Sequence, residues 1–283
     1  MKLSIVIPTY NNLKYLKFTI DSLINNSKYD HEIILHINEG TDGTLEYAQQ
    51  NKIKFSFSNQ NLGLCRSVNL ATKKITTDFV LYSHDDMFFC YHWDEYLKNE
   101  ILKYQDNMFY LTGTNVSINK GLLNYDCGSS PENFNEHKFN DFCKNDNSQD
   151  LQGSHWAPHL IHKDLWLRIG GFSEEFNPGD GSDPDLCMKL WNNNVRIFKT
   201  ISKFKVYHFS SITTRKSKIK LNNGTKTFLL KYGFNPRFFR KYYLRGDNKK
   251  IFDGKLKDPS YTLLMFLELI INKIKYYYFS FFK

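Results

Sequence analysis

No stretch of this 283-residue sequence offers the roughly 18 uninterrupted apolar residues that a membrane-spanning helix requires. The opening run, Leu3 to Ile7, is too short for a secretory signal and is closed by Pro8. Cysteine is sparse. The five present (Cys65, Cys90, Cys127, Cys143 and Cys187) are odd in number and show no C-x-x-C spacing, so they read as reduced thiols of a cytosolic protein. A glycine-rich phosphate loop with a nearby lysine is also missing, since Pro8-Thr9-Tyr10-Asn11-Asn12 is not one; this argues against nucleotidyl transfer. Acidic residues are scarce at one end only. Up to Arg196 the chain carries 18 Lys and Arg against 25 Asp and Glu, and from Phe198 onward 20 against 4. A uniformly basic protein would suggest nucleic acid. An acidic body with a basic final third suggests two separate jobs, and no groove-reading motif is present, so nucleic acid is disfavoured.

What is present is a strand–helix alternation. Leu3–Ile7 reads as a buried strand, and Asn11 or Asn12 caps a helix with the apolar stripe Leu13, Leu16, Ile20, Leu23 and Ile24. A strand at Glu32–Ile37, the turn Gly40-Thr41-Asp42-Gly43 and a short helix through Leu45 and Ala48 follow. Lys54–Phe57 reads as the third strand, Leu64, Val68 and Ala71 as the next helix face, and Phe79–Tyr82 as the fourth strand. Met108–Thr112 is another strand, whereas 119–150 is polar, Asn-rich and reads as a long loop or insertion. Trp156–Ile161, a helix near Leu165–Ile169, a helix from Asp183 to Asn193, and strands at Arg196–Phe198 and Phe204–Tyr207 complete the order. The pattern predicts an α/β fold with a mostly parallel, doubly wound sheet, in which ligands sit at the carboxyl ends of the strands.

Those ends carry the chemistry. Asp85-Asp86 follows a buried strand, where adjacent carboxylates are costly unless a cation neutralises them; a solvated turn is the plainer alternative. Pro184 fits the first position of a helix, which makes Asp183 its N-cap, held ionised by helix-terminal N–H groups and able to take a proton from a hydroxyl. As an isolated feature, a capping Asp more often only caps. His208, after the strand Phe204–Tyr207, is either a satisfied core or surface residue or a metal ligand. His155, His159 and His162 could be read as a metal cluster, but Pro158 breaks the helical spacing this would need.

The ordered set Ile5-Val6-Ile7-Pro8-Thr9-Tyr10-Asn11, Gly40-Thr41-Asp42-Gly43-Thr44, Asn61-Leu62-Gly63-Leu64 with Asn69, and His84-Asp85-Asp86-Met87 resembles the family 2 glycosyltransferases of GT-A type. Gly170-Gly171-Phe172, Asp183-Pro184-Asp185-Leu186, His208 and Phe228–Gly233 extend the likeness to roughly residue 233. The resemblance implies inverting, non-processive transfer of one sugar from a nucleoside diphosphate sugar (UDP, GDP or dTDP type) to a hydroxyl of a glycan or lipid-linked acceptor. It implies Asp183 as general base and Mn²⁺ or Mg²⁺ on Asp86 and His208, with Asp85 as the alternative ligand. Donor contacts implied are Pro8, Thr9, Tyr10, Asn11, Asn38, Glu39, Asn61, Gly63, Asn69, His84 and Asp85; acceptor-side residues are Trp156, Gly181 and Ser182. This sequence departs from the family pattern at Asn38-Glu39, which leaves open which of the two reads the nucleoside, and at His84 and Ser182, so a catalytically idle nucleotide-sugar-binding module is the alternative function.

The expected division is a catalytic domain over 1–212, with a nucleotide-sugar half (1–112), the insertion (119–150) and an acceptor and base half (151–212). A basic, aromatic-rich helical extension occupies 213–283. In that extension Arg215-Lys216-Ser217-Lys218 and Arg237 to Lys250 are interleaved with Phe and Tyr, and Tyr261–Ile271 is an apolar helix candidate. Basic residues with interfacial aromatics favour an anionic membrane surface; a helix packed on the domain with a solvated basic face is the alternative. The location expected is cytoplasmic, with a peripheral position on the inner face of a membrane as the variant.

Overall fold

A computed structural model describes residues 1–153, 156–209, 222–246 and 249–281. His155 and Arg215-Lys216-Ser217-Lys218 lie outside the described residues.

The first half alternates β1 (Ser4–Tyr10), α1 (Leu13–Asn25), β2 (Glu32–Asn38), α2 (Thr44–Gln50), β3 (Lys54–Ser58), α3 (Leu64–Thr72) and β4 (Phe79–Tyr82). Next come β5 (Met87–Phe89), α4 (Trp93–Ile101), β6 (Phe109–Ser117), β7 (Leu123–Asn124), α5 (Glu136–Asn145), β8 (Leu151–Gln152), β9 (His159–His162), α6 (Lys163–Ile169), α7 (Ser182–Asn192) and β10 (Ile197–His208). After it come α8 (Gly224–Tyr232), α9 (Pro236–Phe239), which runs on into a π-helical turn over Arg240–Leu244, and α10 (Leu263–Phe281). One sheet in the order β3-β2-β1-β4-β9-β6-β10-β5 organises the molecule. β3, β2, β1 and β4 are parallel, β9 is antiparallel to β4 and β6, and β10 runs parallel to β6. The sheet is thus parallel from β3 to β4 and mixed beyond β4.

Ile5, Val6 and Ile7 of β1 are all buried, as expected of a parallel strand covered on both faces. The α1 stripe holds through Leu16, Ile20 and Leu23, but Ile24 is exposed and Thr19 and Ser22 take the buried positions. The N-terminus of α1 is capped from a distance. Asn12 makes no side-chain cap, and Asp42 instead accepts from Leu13 N (2.7 Å) while also accepting from Thr44 N at the start of α2 (3.2 Å). One carboxylate therefore holds two helix starts at the site edge of the sheet.

Three expectations are corrected. Segment 119–150 is not all loop: α5 forms there, capped by Asn135 accepting from Lys138 N (2.9 Å) and anchored by buried Phe139. The two expected strands 196–198 and 204–207 are one strand, β10, with a register shift against β6 between Ile201 and Lys205. Its mid-strand lysines are buried because acids meet them: Lys199 pairs with Glu100 and Asp150 (2.7 Å each), and Lys205 with Asp146 (2.9 Å). The helix expected at 261–271 runs on to Phe281.

Candidate active site

Register carries the first part of the site. β4 ends at Tyr82, and the chain turns through Ser83-His84-Asp85-Asp86 into β5, which pairs antiparallel with the tail of β10 so that Met87 faces His208. The ladder continues as Phe209 N donates to Asp86 O (3.1 Å). His208 Nε2 consequently lies 3.1 Å from Asp86 Oδ1 and 3.4 Å from His84 Nδ1. The ligand atoms of His84, Asp86 and His208 all fall within 4.8 Å of one another, close enough to hold one metal ion.

The electrostatics of the trio are complementary. Burial, reinforced by the charge of His208, pushes His84 down to about 4, so it is neutral at physiological pH. Burial would also lower His208, but the charge and hydrogen bond of Asp86, with help from Asp85, raise it. The Asp86 carboxylate thus favours the protonated form of His208, and a cation bound there would compete with that proton. Asp85 is not in the trio. Its Oδ2 accepts from Thr9 Oγ1 (2.7 Å), tying the end of β1 to the 83–86 turn.

Asp183 approaches from α7. That helix begins at Ser182 behind Gly181, whose φ of 83° makes the turn. Asp183 is therefore the second helical residue and not the N-cap, and Pro184 is third. The expectation that helix N–H groups keep Asp183 ionised is also overturned: burial of the carboxyl outweighs the helix terminus and pushes it up to about 7. A carboxyl poised there is half-ionised at neutrality, which suits a general base.

Tyr82 links the two parts, and sequence reasoning missed it. Burial first, then the charges of Asp183, Cys65, Asp85 and Asp86, push its hydroxyl well above the ordinary phenol value. One hydroxyl thus lies within electrostatic reach of Asp183 and of both carboxylates beside the histidines. It has no hydrogen-bond partner among the described residues. Its ring packs edge-on against His84 (centroids 5.5 Å) and Phe172 (5.4 Å). The signal was available, since Tyr82 closes a buried strand immediately before the polar turn.

A model of glycosyl transferase family 2 matches residues 4–162, more than half of the sequence. The chain belongs to glycosyl transferase family 2. Solved structures agree on the GT-A fold. The S. aureus TarS 1–349 structure is 17% identical with a TM-score of 0.56, over 81% of this chain and 65% of that one. TarS 1–349 in complex with UDP-GlcNAc gives 17%, 0.57, 81% and 65%. GalNAc-T7 with UDP, GalNAc and Mn²⁺ gives 16% and 0.58, over 81% and 47%. The chain therefore spans about two thirds or less of these relatives' own lengths. No curated protein sequence matches it.

In this family 2 glycosyltransferase the remaining motif residues divide into two groups. Pro8, Thr9, Tyr10, Asn11 and Glu39 line the ends of β1 and β2. Asn11 Nδ2 donates to Glu39 (3.4 Å), its Oδ1 accepts from Thr41 N (2.9 Å), and Glu39 raises the Tyr10 phenol after burial does. Asn38, by contrast, is buried and committed inward: it donates to Thr9 O (3.2 Å) and Ser67 Oγ (3.0 Å) and accepts from Leu62 N (2.9 Å). Of the two residues left open between β2 and its turn, Glu39 is the one at the rim.

Asn61, Gly63 and Asn69 join the halves of the molecule. Asn61 accepts from Gly63 N (3.0 Å), and Gly63, at φ 78°, leaves room for Asn177, whose amide a Cβ there would meet at 2.5 Å. Asn69 clamps the backbone of Phe172 from both sides (2.8 and 2.9 Å). Gly181 packs against Gly224, and Ser182 donates to Gly179 O (2.7 Å), so both shape the loop that presents Asp183. The 228–233 segment grips the same helix: Lys231 pairs with Asp185 (2.8 Å) and Tyr232 donates to it (2.7 Å). Trp156 is half-buried just before β9. His159 and His162 form no cluster: His159 bonds Tyr110 (3.0 Å) in the core, and His162 caps α6.

Proposed function

We propose that this glycosyltransferase moves a single sugar, with inversion, from a nucleoside diphosphate sugar to a hydroxyl acceptor, using Asp183 as general base. What supports this reading is Tyr82, whose hydroxyl feels the charges of Asp183, Asp85 and Asp86 and whose ring packs on His84 of the His84–Asp86–His208 trio. Asp183 takes the acceptor's hydroxyl proton as the oxygen attacks the anomeric carbon; the bond from that carbon to the diphosphate breaks, and the diphosphate leaves from the opposite face. Thr9 fixes Asp85, and with it the turn bearing Asp86. Tyr10, Asn11 and Glu39 are the proposed nucleoside contacts, with Pro8 shaping the strand end.

Two imidazoles and one carboxylate suit Mn²⁺ better than Mg²⁺, which prefers carboxylates and water. Such an ion, held by His84, Asp86 and His208, would supply charge neutralisation for the diphosphate. Trp156, Gly181 and Ser182 are proposed to border the acceptor, a glycan or a lipid-linked precursor, and residues 1–212 to form the catalytic domain. UDP-sugars are the first donors to test, because TarS and GalNAc-T7 were each solved with UDP or a UDP-sugar. In a screen of UDP-, GDP- and dTDP-sugars with Mn²⁺, the wild-type chain should release nucleoside diphosphate from one of them, and Asp183→Asn should bind that donor without turnover. Saturable donor binding with no turnover by the wild type would favour the idle module instead.

A further inference from the structure

Helix α10 packs on α8 and the 235–241 segment with one face and turns an almost wholly apolar face outward. Met265 and Asn272 are its buried residues, and Leu269, Tyr276 and Phe279 are half-buried on the same side. That side is fastened by polar contacts: Glu268 pairs with Lys241 (2.5 Å), Asn272 accepts from Asn235 N (3.0 Å), and Lys226 lies over Phe279 (5.2 Å). At 3.6 residues per turn the opposite side is centred on Leu263, Leu267, Ile270, Ile274, Tyr277 and Phe281. Leu263 is 76%, Ile274 64% and Phe281 81% exposed. Ten of the eighteen exposed large hydrophobic residues of the described chain belong to this one helix, so the exposure is concentrated and not scattered. Lys273 and Lys275, both exposed, fall on the two margins of the stripe.

The expected alternative was a helix packed on the catalytic domain with a solvated basic face; the helix packs on α8 and the 235–241 segment, and the face left to water is apolar. Among the described residues no helix is long and apolar enough to cross a membrane, so this one would have to lie in the plane of an interface. A second copy is a poor occupant. Pairing two such stripes would bring the marginal lysines together, and the helix's one acid, Glu268, lies on the packed side and is engaged by Lys241. An anionic lipid surface answers both features, taking the apolar face into the acyl boundary and the lysines at the headgroups.

We propose that α10 docks in the plane of an anionic lipid surface. The consequence reaches the site through α8, which packs on α10: Gly224 N donates to Asp180 (2.8 Å) and Lys231 holds Asp185, on either side of Asp183. Docking would set the base-bearing loop at a fixed height above the lipid.

The test is co-sedimentation of the full chain with phosphatidylcholine vesicles, with and without about one third phosphatidylserine. The wild type should partition onto the anionic vesicles at least about tenfold more strongly than onto neutral ones, and less so at high salt. Lys273→Ala/Lys275→Ala should weaken this roughly 25-fold, at about fivefold per lysine. Ile270→Ser/Ile274→Ser should abolish it, with the thermal midpoint of both variants unchanged because these side chains point outward. No binding of the wild type, or equal binding of all three proteins, overturns the proposal. So does a dimer in light scattering that Ile270→Ser/Ile274→Ser dissolves while vesicles are ignored. None of these readouts requires turnover, so they stand or fall apart from the proposed reaction.

Discussion

Replacing Asp183 by Asn should abolish turnover yet make the metal-free protein more stable at alkaline pH. The carboxyl is raised from an ordinary 3.8 to about 7 by burial. Between those values the folded state holds a proton that the unfolded state has lost, so stability falls as pH rises from about 4 to 7 and stays low above it. A shift of about three pKa units corresponds to a ceiling of about 4 kcal/mol. Asp183 keeps some contact with solvent, so a realistic penalty is about 1–3 kcal/mol. The asparagine variant carries no such charge. Its thermal midpoint should therefore gain on the wild type between pH 4 and pH 8 by about 2–9 °C, at roughly 2–3 °C per kcal/mol for a chain of this size. The assay is a pH series of thermal melts for both proteins in chelator, taking the difference so that other titrating groups cancel. Parallel curves across that range would refute the idea that burial, and not the helix terminus, governs this carboxylate. In the wild-type enzyme the same group should give kcat/KM an ascending limb with a midpoint near 7.

Four further outcomes are expected. His84→Ala and His208→Ala should each weaken Mn²⁺ binding at least about tenfold in calorimetry, since even indirect partners of a metal are worth that much; unchanged binding by His84→Ala would remove it from the ligand set. Mn²⁺ affinity should rise with pH through neutrality, because the raised His208 must lose its proton to bind. Asp146→Ala leaves the fully buried Lys205 ammonium without its acid and should cost about 3–5 kcal/mol in urea unfolding. Asn69→Ala, which loses both bonds to Phe172, should lower stability by about 1–3 kcal/mol, whereas a direct donor contact would show as a raised KM at unchanged stability.

Legibility differed sharply between elements. β1 and β4 could be read because an apolar, β-branched run bounded by Pro8 or by polar turns has few other uses, and such strands placed the polar residues at one sheet edge. The α5 helix was hidden by an Asn-rich composition; its trace was only Phe139 and Phe142 at helical spacing, the latter stacked on Tyr125 at 4.3 Å. β10 was split because Lys199 and Lys205 look solvent-facing in sequence, while the acids that bury them lie 49 to 99 residues away along the chain. The same limit applies at the site. A local pattern located Asp183 near a helix start, but whether the helix terminus or burial wins depends on packing by segments distant along the chain. Asn69 and Asn38 belong to the motif set, yet their side chains are spent on backbone of distant segments. The end of α10 was missed because Asn272 and Lys273 resemble a helix stop, whereas Asn272 is buried and bonded to Asn235.

The central claim is that a cation held at His84, Asp86 and His208 and the Asp183 base serve one reaction, on either side of Tyr82. An anomalous-difference map from crystals of the protein with Mn²⁺ and the donor nucleotide sugar addresses it most directly. The expected result is a single peak within bonding distance of all three side chains and of the diphosphate, with the anomeric carbon turned toward Asp183. A peak elsewhere, or a sugar facing away from Asp183, would contradict it.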